Sequence, residues 1–158
     1  MKILLVEDSR FLRIAIEKAL ARAGHEVTSI ADGREALLAA RSNLPAIILL
    51  DMMLPGLDGT CVLKKLKQDA LTSHIPVIVL TGLSQTNETK LRKAGAAAYI
   101  EKSSLNLGQN AEALIQVMVS VLGTSREVLG APGQQSRSST DAETNRTEVQ
   151  VGYPGGTA

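Results

Sequence analysis

Apolar residues fall in short bursts along the chain, and polar stretches with a second apolar rhythm separate them. The bursts lie at 2–6, 26–30, 46–50, 77–80 and 97–100, each four or five residues long, with Ile, Val and Leu densest in the first, third and fourth. Runs of that length bounded by turn residues predict strands, and the most apolar of them, Ile47-Ile48-Leu49-Leu50, predicts a strand covered on both faces. Between them the apolar positions recur at helical spacing. Ser9 can cap a helix carrying Phe11, Leu12, Ala15, Ile16, Ala19 and Ala23, which Gly24 closes. Asp32-Gly33 turns the chain into a short helix over 34–41. Val62, Leu63 and Leu66 mark one over about 58–68, and a polar helix over 84–94 is closed by Gly95. Leu107, Ala111, Leu114, Ile115, Met118 and Leu122 mark a last amphipathic helix that Gly123 is expected to stop.

Five strands alternating with five helices predict an α/β fold, a doubly wound five-stranded parallel sheet with right-handed crossovers. After residue 123 the character changes. Ser, Thr, Gly, Gln and Pro dominate, and such a segment cannot bury enough surface to offset its ordering entropy. The expected organisation is one domain over 1–123 and a disordered tail or linker over 124–158.

Composition narrows the function more by exclusion than by indication. The 17 basic residues balance 16 acidic ones, so no nucleic-acid or membrane footprint is expected. No apolar run approaches the roughly 18 residues that insertion in a bilayer needs. Strand-like sequence begins directly after Met1, with no signal peptide ahead of it, and Cys61 is the single cysteine, so the expected location is the cytoplasm. Cys61 is expected to be a small helical residue without a redox role.

The candidate chemistry sits at strand ends. Glu7 and Asp8 follow the first strand, Asp51 the third, Thr81 the fourth and Lys102 the fifth. In a parallel sheet all five converge on the carboxyl edge, where open α/β folds keep their ligand sites. Three converging carboxylates repel one another, and a hard divalent cation such as Mg2+ offsets that while leaving room for a phosphate oxygen. A Lys and a Thr opposite complete a phosphoryl pocket, and Asp51 is placed to act as a nucleophile that forms an acyl phosphate.

At this point the chain resembles the receiver domains of two-component response regulators, the CheY-like family with a flavodoxin-like sheet. The resemblance rests on Glu7-Asp8, on Asp51-Met52-Met53-Leu54-Pro55-Gly56-Leu57-Asp58-Gly59, on the run 77–82 ending in Thr81-Gly82, and on Tyr99-Ile100-Glu101-Lys102. It covers roughly 1–123. It implies that Asp51 accepts a phosphoryl group from a sensor histidine kinase or phosphotransfer protein. Asp8, Asp51 and the main-chain carbonyl of Met53 would bind Mg2+, with Glu7 assisting. Lys102, Thr81 and the N–H of Gly82 would contact the phosphoryl oxygens. Tyr99 takes the place of the family's switch aromatic, so the helix over 84–94, the fifth strand and the last helix would change shape for a downstream protein target not yet identified. Beyond taking and slowly losing its own phosphoryl group, the chain is expected to be no enzyme.

Two departures from the family pattern stand out. Ser103 follows Lys102 where the family carries a Pro joined by a cis bond, so either this bond is also cis or Lys102 is aimed differently. Met53 and Leu83, two residues beyond Asp51 and Thr81, are both apolar and cannot orient an attacking water, which predicts a long-lived phosphoryl-aspartate. Two other readings compete. A phosphorylation-independent adaptor would share the fold without needing the intact acidic pair, Asp51, Thr81 and Lys102. A haloacid-dehalogenase-like phosphohydrolase would place its nucleophile on the first strand, with a second Asp two residues later, and would carry a cap domain. Here the lone Asp ends the central strand.

Overall fold

The structure, a computed structural model, describes residues 1–82, 88–105 and 111–129. The chain runs β1 (Lys2–Val6), α1 (Arg10–Arg22), β2 (Glu26–Ile30), α2 (Gly33–Asn43), β3 (Ile47–Asp51), α3 (Gly59–Gln68), β4 (Val77–Thr81), α4 (Glu88–Lys93), β5 (Ala98–Glu101) and α5 (Glu112–Leu129). A single 3-10 turn, Lys102–Ser104, follows β5. The five strands form one parallel sheet in the order β2-β1-β3-β4-β5. This is the doubly wound parallel sheet that the alternation predicts, and its strand order is that of the CheY-like flavodoxin fold that the resemblance implies. The order reverses between β1 and β3, so the crevice at their carboxyl ends is the switch point of the sheet.

Side-chain alternation along the strands builds two cores, one on each face. Leu4, Val6, Ile48, Leu50, Val77 and Val79 meet Ala36 and Ala40 of α2, Leu63 and Leu66 of α3 and Leu91 of α4. Ile3, Leu5, Ile47, Leu49, Ile78 and Leu80 meet Ile16 and Leu20 of α1 and Leu114 and Met118 of α5. Every residue of β3 and β4 is buried, which is why those runs carry no polar alternation.

Local signals account for the helix starts. Ser9, Asp32 and Asp58 cap α1, α2 and α3, each accepting a main-chain N–H two or three residues on. Gly24, just past α1, has φ +81°, a conformation that suits glycine.

One expectation changes. Gly123 does not stop the last helix: α5 continues to Leu129. A glycine inside a helix costs only about 1 kcal/mol, which the flanking helix formers offset. Phe11 is 85% exposed, so it lies on the surface of α1 rather than in the core. The four residues expected to open α4, and Leu83 and Leu107, lie outside the described residues. So does the tail beyond 129.

Candidate functional site

β1 ends at Val6, and Glu7 and Asp8 follow immediately. Glu7 is fully buried and Asp8 is exposed. The Ser9 N–H donates to Glu7 Oε1 (3.1 Å), folding the Glu7 side chain back over the start of α1. Asp51, the last residue of β3, is 1% exposed. The Met53 N–H donates to Asp51 Oδ1 (3.0 Å), which fixes the carboxylate on its own loop. One oxygen from each of Glu7, Asp8 and Asp51 lies within 4.8 Å of the others.

Lys102 enters from β5, and its ammonium stands 2.7 Å from Asp51 Oδ2 and 2.9 Å from Glu7 Oε2. The Lys102–Ser103 bond is trans, and the 3-10 turn that follows β5 nonetheless delivers the ammonium to both carboxylates. Thr81 ends β4, is 3% exposed, and follows Leu80, the residue paired in register with Asp51. The sheet thus brings together Glu7, Asp8, Asp51, Thr81 and Lys102 at one edge, as their strand-end positions predict.

Electrostatics set the character of this edge. Burial raises the Glu7 carboxyl above its ordinary range, and repulsion from Asp51 adds to that, while the hydrogen bond to Lys102 opposes it. For Lys102 burial alone would lower the ammonium, but its bonds to Asp51 and Glu7 outweigh burial and hold it raised. One ammonium faces three carboxylates. That set of hard oxygen donors, with Asp8 open to water, fits a divalent cation such as Mg2+.

α3 approaches the same corner closely. A Cβ on Gly59 would stand 2.5 Å from the Asp51 carbonyl oxygen and 2.6 Å from the Met52 Cα, both main-chain atoms. Glycine is what lets the helix start directly against the strand end. Its spacing from Asp51 is visible in the sequence, but the reason for it is not.

The remaining expected site residues are less engaged. The Met53 side chain is 71% exposed, and space around Gly82 is open. Tyr99 points outward at 36% exposure, and its hydroxyl donates to Glu88 Oε2 of α4 (3.3 Å). Sequence reasoning missed Arg13, whose guanidinium donates to the carbonyls of Glu7 (2.8 Å) and Asp8 (3.2 Å). The available signal was its place one turn into α1, because a long helical side chain leans back over the preceding turn.

The family profile of the response regulator receiver domain matches residues 3–114. The chain belongs to that family. It is 39% identical over 102 residues to the response regulator PleD of Caulobacter vibrioides, a match covering 64% of this chain and 22% of PleD. The receiver domain of the Francisella response regulator 1452 superposes with a TM-score of 0.67 at 30% identity, covering 78% of this chain and 98% of that one. The receiver domain of the sensor histidine kinase PA1611 of Pseudomonas aeruginosa, solved with a magnesium ion in its active-site cleft, gives 0.68 at 28% identity over 77% and 97%. The chain spans less than half the length of the curated relatives it matches, 22% of PleD and 44% of the transcriptional regulatory protein AfsQ1 of Streptomyces coelicolor among them. Receiver domains are signalling modules of phosphorelays rather than classical enzymes. They interact with histidine kinases and downstream effectors, and they bind Mg2+ at an acidic pocket. No described helix is long and apolar enough to cross a membrane.

Proposed function

We propose that this receiver takes a phosphoryl group on Asp51 from a phosphohistidine of a sensor kinase or phosphotransfer protein and in that state changes its fit to a protein target. The observation that carries this reading is the Lys102 ammonium held 2.7 Å from Asp51 Oδ2 inside the acidic cluster. A lysine so placed orients the acceptor carboxylate and meets the charge that arrives with the phosphoryl group.

In transfer an Asp51 oxygen bonds to phosphorus while the phosphorus–nitrogen bond to the donor imidazole breaks, and that nitrogen takes up a proton. Asp8, Asp51 and the Met53 carbonyl would hold Mg2+ with help from Glu7, and the cation would neutralise phosphoryl oxygens during transfer. Lys102 would follow the incoming charge from the carboxylate to a phosphoryl oxygen. Thr81, at the end of β4, and the Gly82 N–H would donate to the others.

The phosphoryl group adds about 1.5 to 2 negative charges at a buried strand end. Drawing Thr81 inward would open space beside β5 that Tyr99 would fill on leaving Glu88. That movement links the acceptor to the surface of α4, β5 and α5, the face offered here for the downstream target. The working location is the cytoplasm, and no direct nucleic-acid contact is assigned, consistent with the balanced charge.

Incubation with Mg2+ and acetyl phosphate followed by intact-mass spectrometry tests the reading. A single phosphate adduct is expected, dependent on Mg2+ and missing from Asp51→Ala. Folded protein that takes up no phosphate would favour a phosphorylation-independent adaptor instead.

A further inference from the structure

We propose that Arg13 is a positioning residue of the acidic site: its guanidinium holds the turn after β1 in the shape that presents Glu7 and Asp8 to a divalent cation. This inference rests on the reading of the site as a Mg2+-dependent phosphoryl acceptor. Arg13 lies in the first turns of α1, half-buried, and its own N–H is bonded to the Ser9 carbonyl. One guanidinium nitrogen donates to two consecutive main-chain carbonyls, Glu7 at 2.8 Å and Asp8 at 3.2 Å.

What the guanidinium does not touch matters as much. Among the described residues no carboxylate forms an ion pair with Arg13, although Glu7 and Asp8 are the residues whose carbonyls it holds. An arginine beside acidic residues ordinarily forms a fork with a carboxylate. Here its donors go to the main chain, so the turn is fastened while the Asp8 carboxylate stays open to water. The Ser9 N–H on Glu7 Oε1 holds the turn from the other side. Two successive carbonyls turned toward one donor fix the peptide planes on either side of the Asp8 Cα, and with them the direction of its side chain.

The sign of the effect on cation binding separates positioning from bystander charge. Removing a positive charge from beside an acidic site would, by Coulomb attraction alone, tighten Mg2+ binding. Loosening the turn would weaken it. Isothermal titration of Mg2+ into the full chain should show binding about tenfold weaker for Arg13→Met, in line with other outer-sphere partners of metal ligands. Arg13→Lys should recover part of that loss. Arg13→Gln, which keeps a polar chain of similar reach, serves if Arg13→Met does not fold, and it should also bind more weakly. Unchanged or tighter binding in a folded, charge-removing variant overturns the proposal.

Hydrogen exchange at the Ser9 amide gives a readout that needs no metal. It should quicken in Arg13→Met and Arg13→Gln, and unchanged exchange overturns the clamp. Were the wild type to bind no Mg2+, the metal reading would fail while exchange at Ser9 still decided whether Arg13 fastens the turn.

Discussion

Two lysines, Lys102 and Lys67, are both drawn into the protein at opposite edges of the same sheet, and they behave in opposite ways. Lys67 of α3 lies at the amino edge and donates to the carbonyls of Ser73 (3.0 Å) and Ile75 (2.7 Å). No carboxylate pairs with it among the described residues, and burial lowers its ammonium below the usual range. Lys102 lies at the carboxyl edge among carboxylates, and its ion pairs raise it despite burial. Around Lys67 polar groups close the fold: the Thr72 hydroxyl donates to the Leu66 carbonyl, and Arg41 pairs with Asp69. Around Lys102 acids outnumber the cation. A buried lysine on main-chain oxygens ties segments together, whereas a buried lysine in an excess of carboxylates leaves a site that an added cation can complete.

The sharpest way to break this comparison is to remove each lysine in turn. Lys102→Met leaves Glu7 and Asp51 facing each other without an ammonium. Without divalent cation it should lose about 3 kcal/mol of stability, as when one partner of a buried pair is removed. Mg2+ should restore much of that loss, because it supplies positive charge to the same oxygens, while phosphoryl uptake should slow roughly a hundredfold. Lys67→Met should cost about 1 to 2 kcal/mol by leaving two carbonyls unmet, with no recovery in Mg2+ and no change in uptake. Urea unfolding with and without Mg2+, beside the mass assay, separates the two. Similar Mg2+ rescue of both variants would contradict the contrast.

A smaller effect belongs to the amino edge alone. Burial, and then the N-terminal ammonium, lower His25 from its usual 6.5, and its Nδ1 is buried without a partner. As pH falls the unfolded chain takes up this proton before the folded one. Stability should therefore rise with pH through the window just below 6.5 and level off above it. His25→Gln should flatten that rise in urea midpoints measured across the window. An unchanged slope would assign it to other groups.

The carboxyl edge was far more legible in the sequence than the amino edge, for a physical reason. Strand bursts such as Ile47-Ile48-Leu49-Leu50 announce their own ends, and a polar residue directly after one has a known position in space. Glu7, Asp51, Thr81 and Lys102 could therefore be gathered before any coordinates. Lys67 gave no such signal, because it sits in the last turn of α3 beside Lys64 and Lys65, where a solvated face is the ordinary expectation. Arg13 was hidden for the same reason: its bonds go to main-chain carbonyls, which carry no side-chain pattern. The trans bond at Ser103 depends on how the turn after β5 packs, and the residue pair alone left it open. Gly123 misled because a glycine ends a helix only when the residues beyond it do not continue one.

The most direct test of the central claim, that the carboxyl-edge cluster makes Asp51 a phosphoryl acceptor, is to locate the adduct. Phosphorylated protein reduced with borohydride converts an acyl phosphate to an alcohol, so the modified aspartate appears as homoserine in peptide mass mapping. The expected result is homoserine at position 51 alone, formed only when Mg2+ was present. Reduction at Asp8, or phosphate that survives borohydride on another residue type, would contradict it.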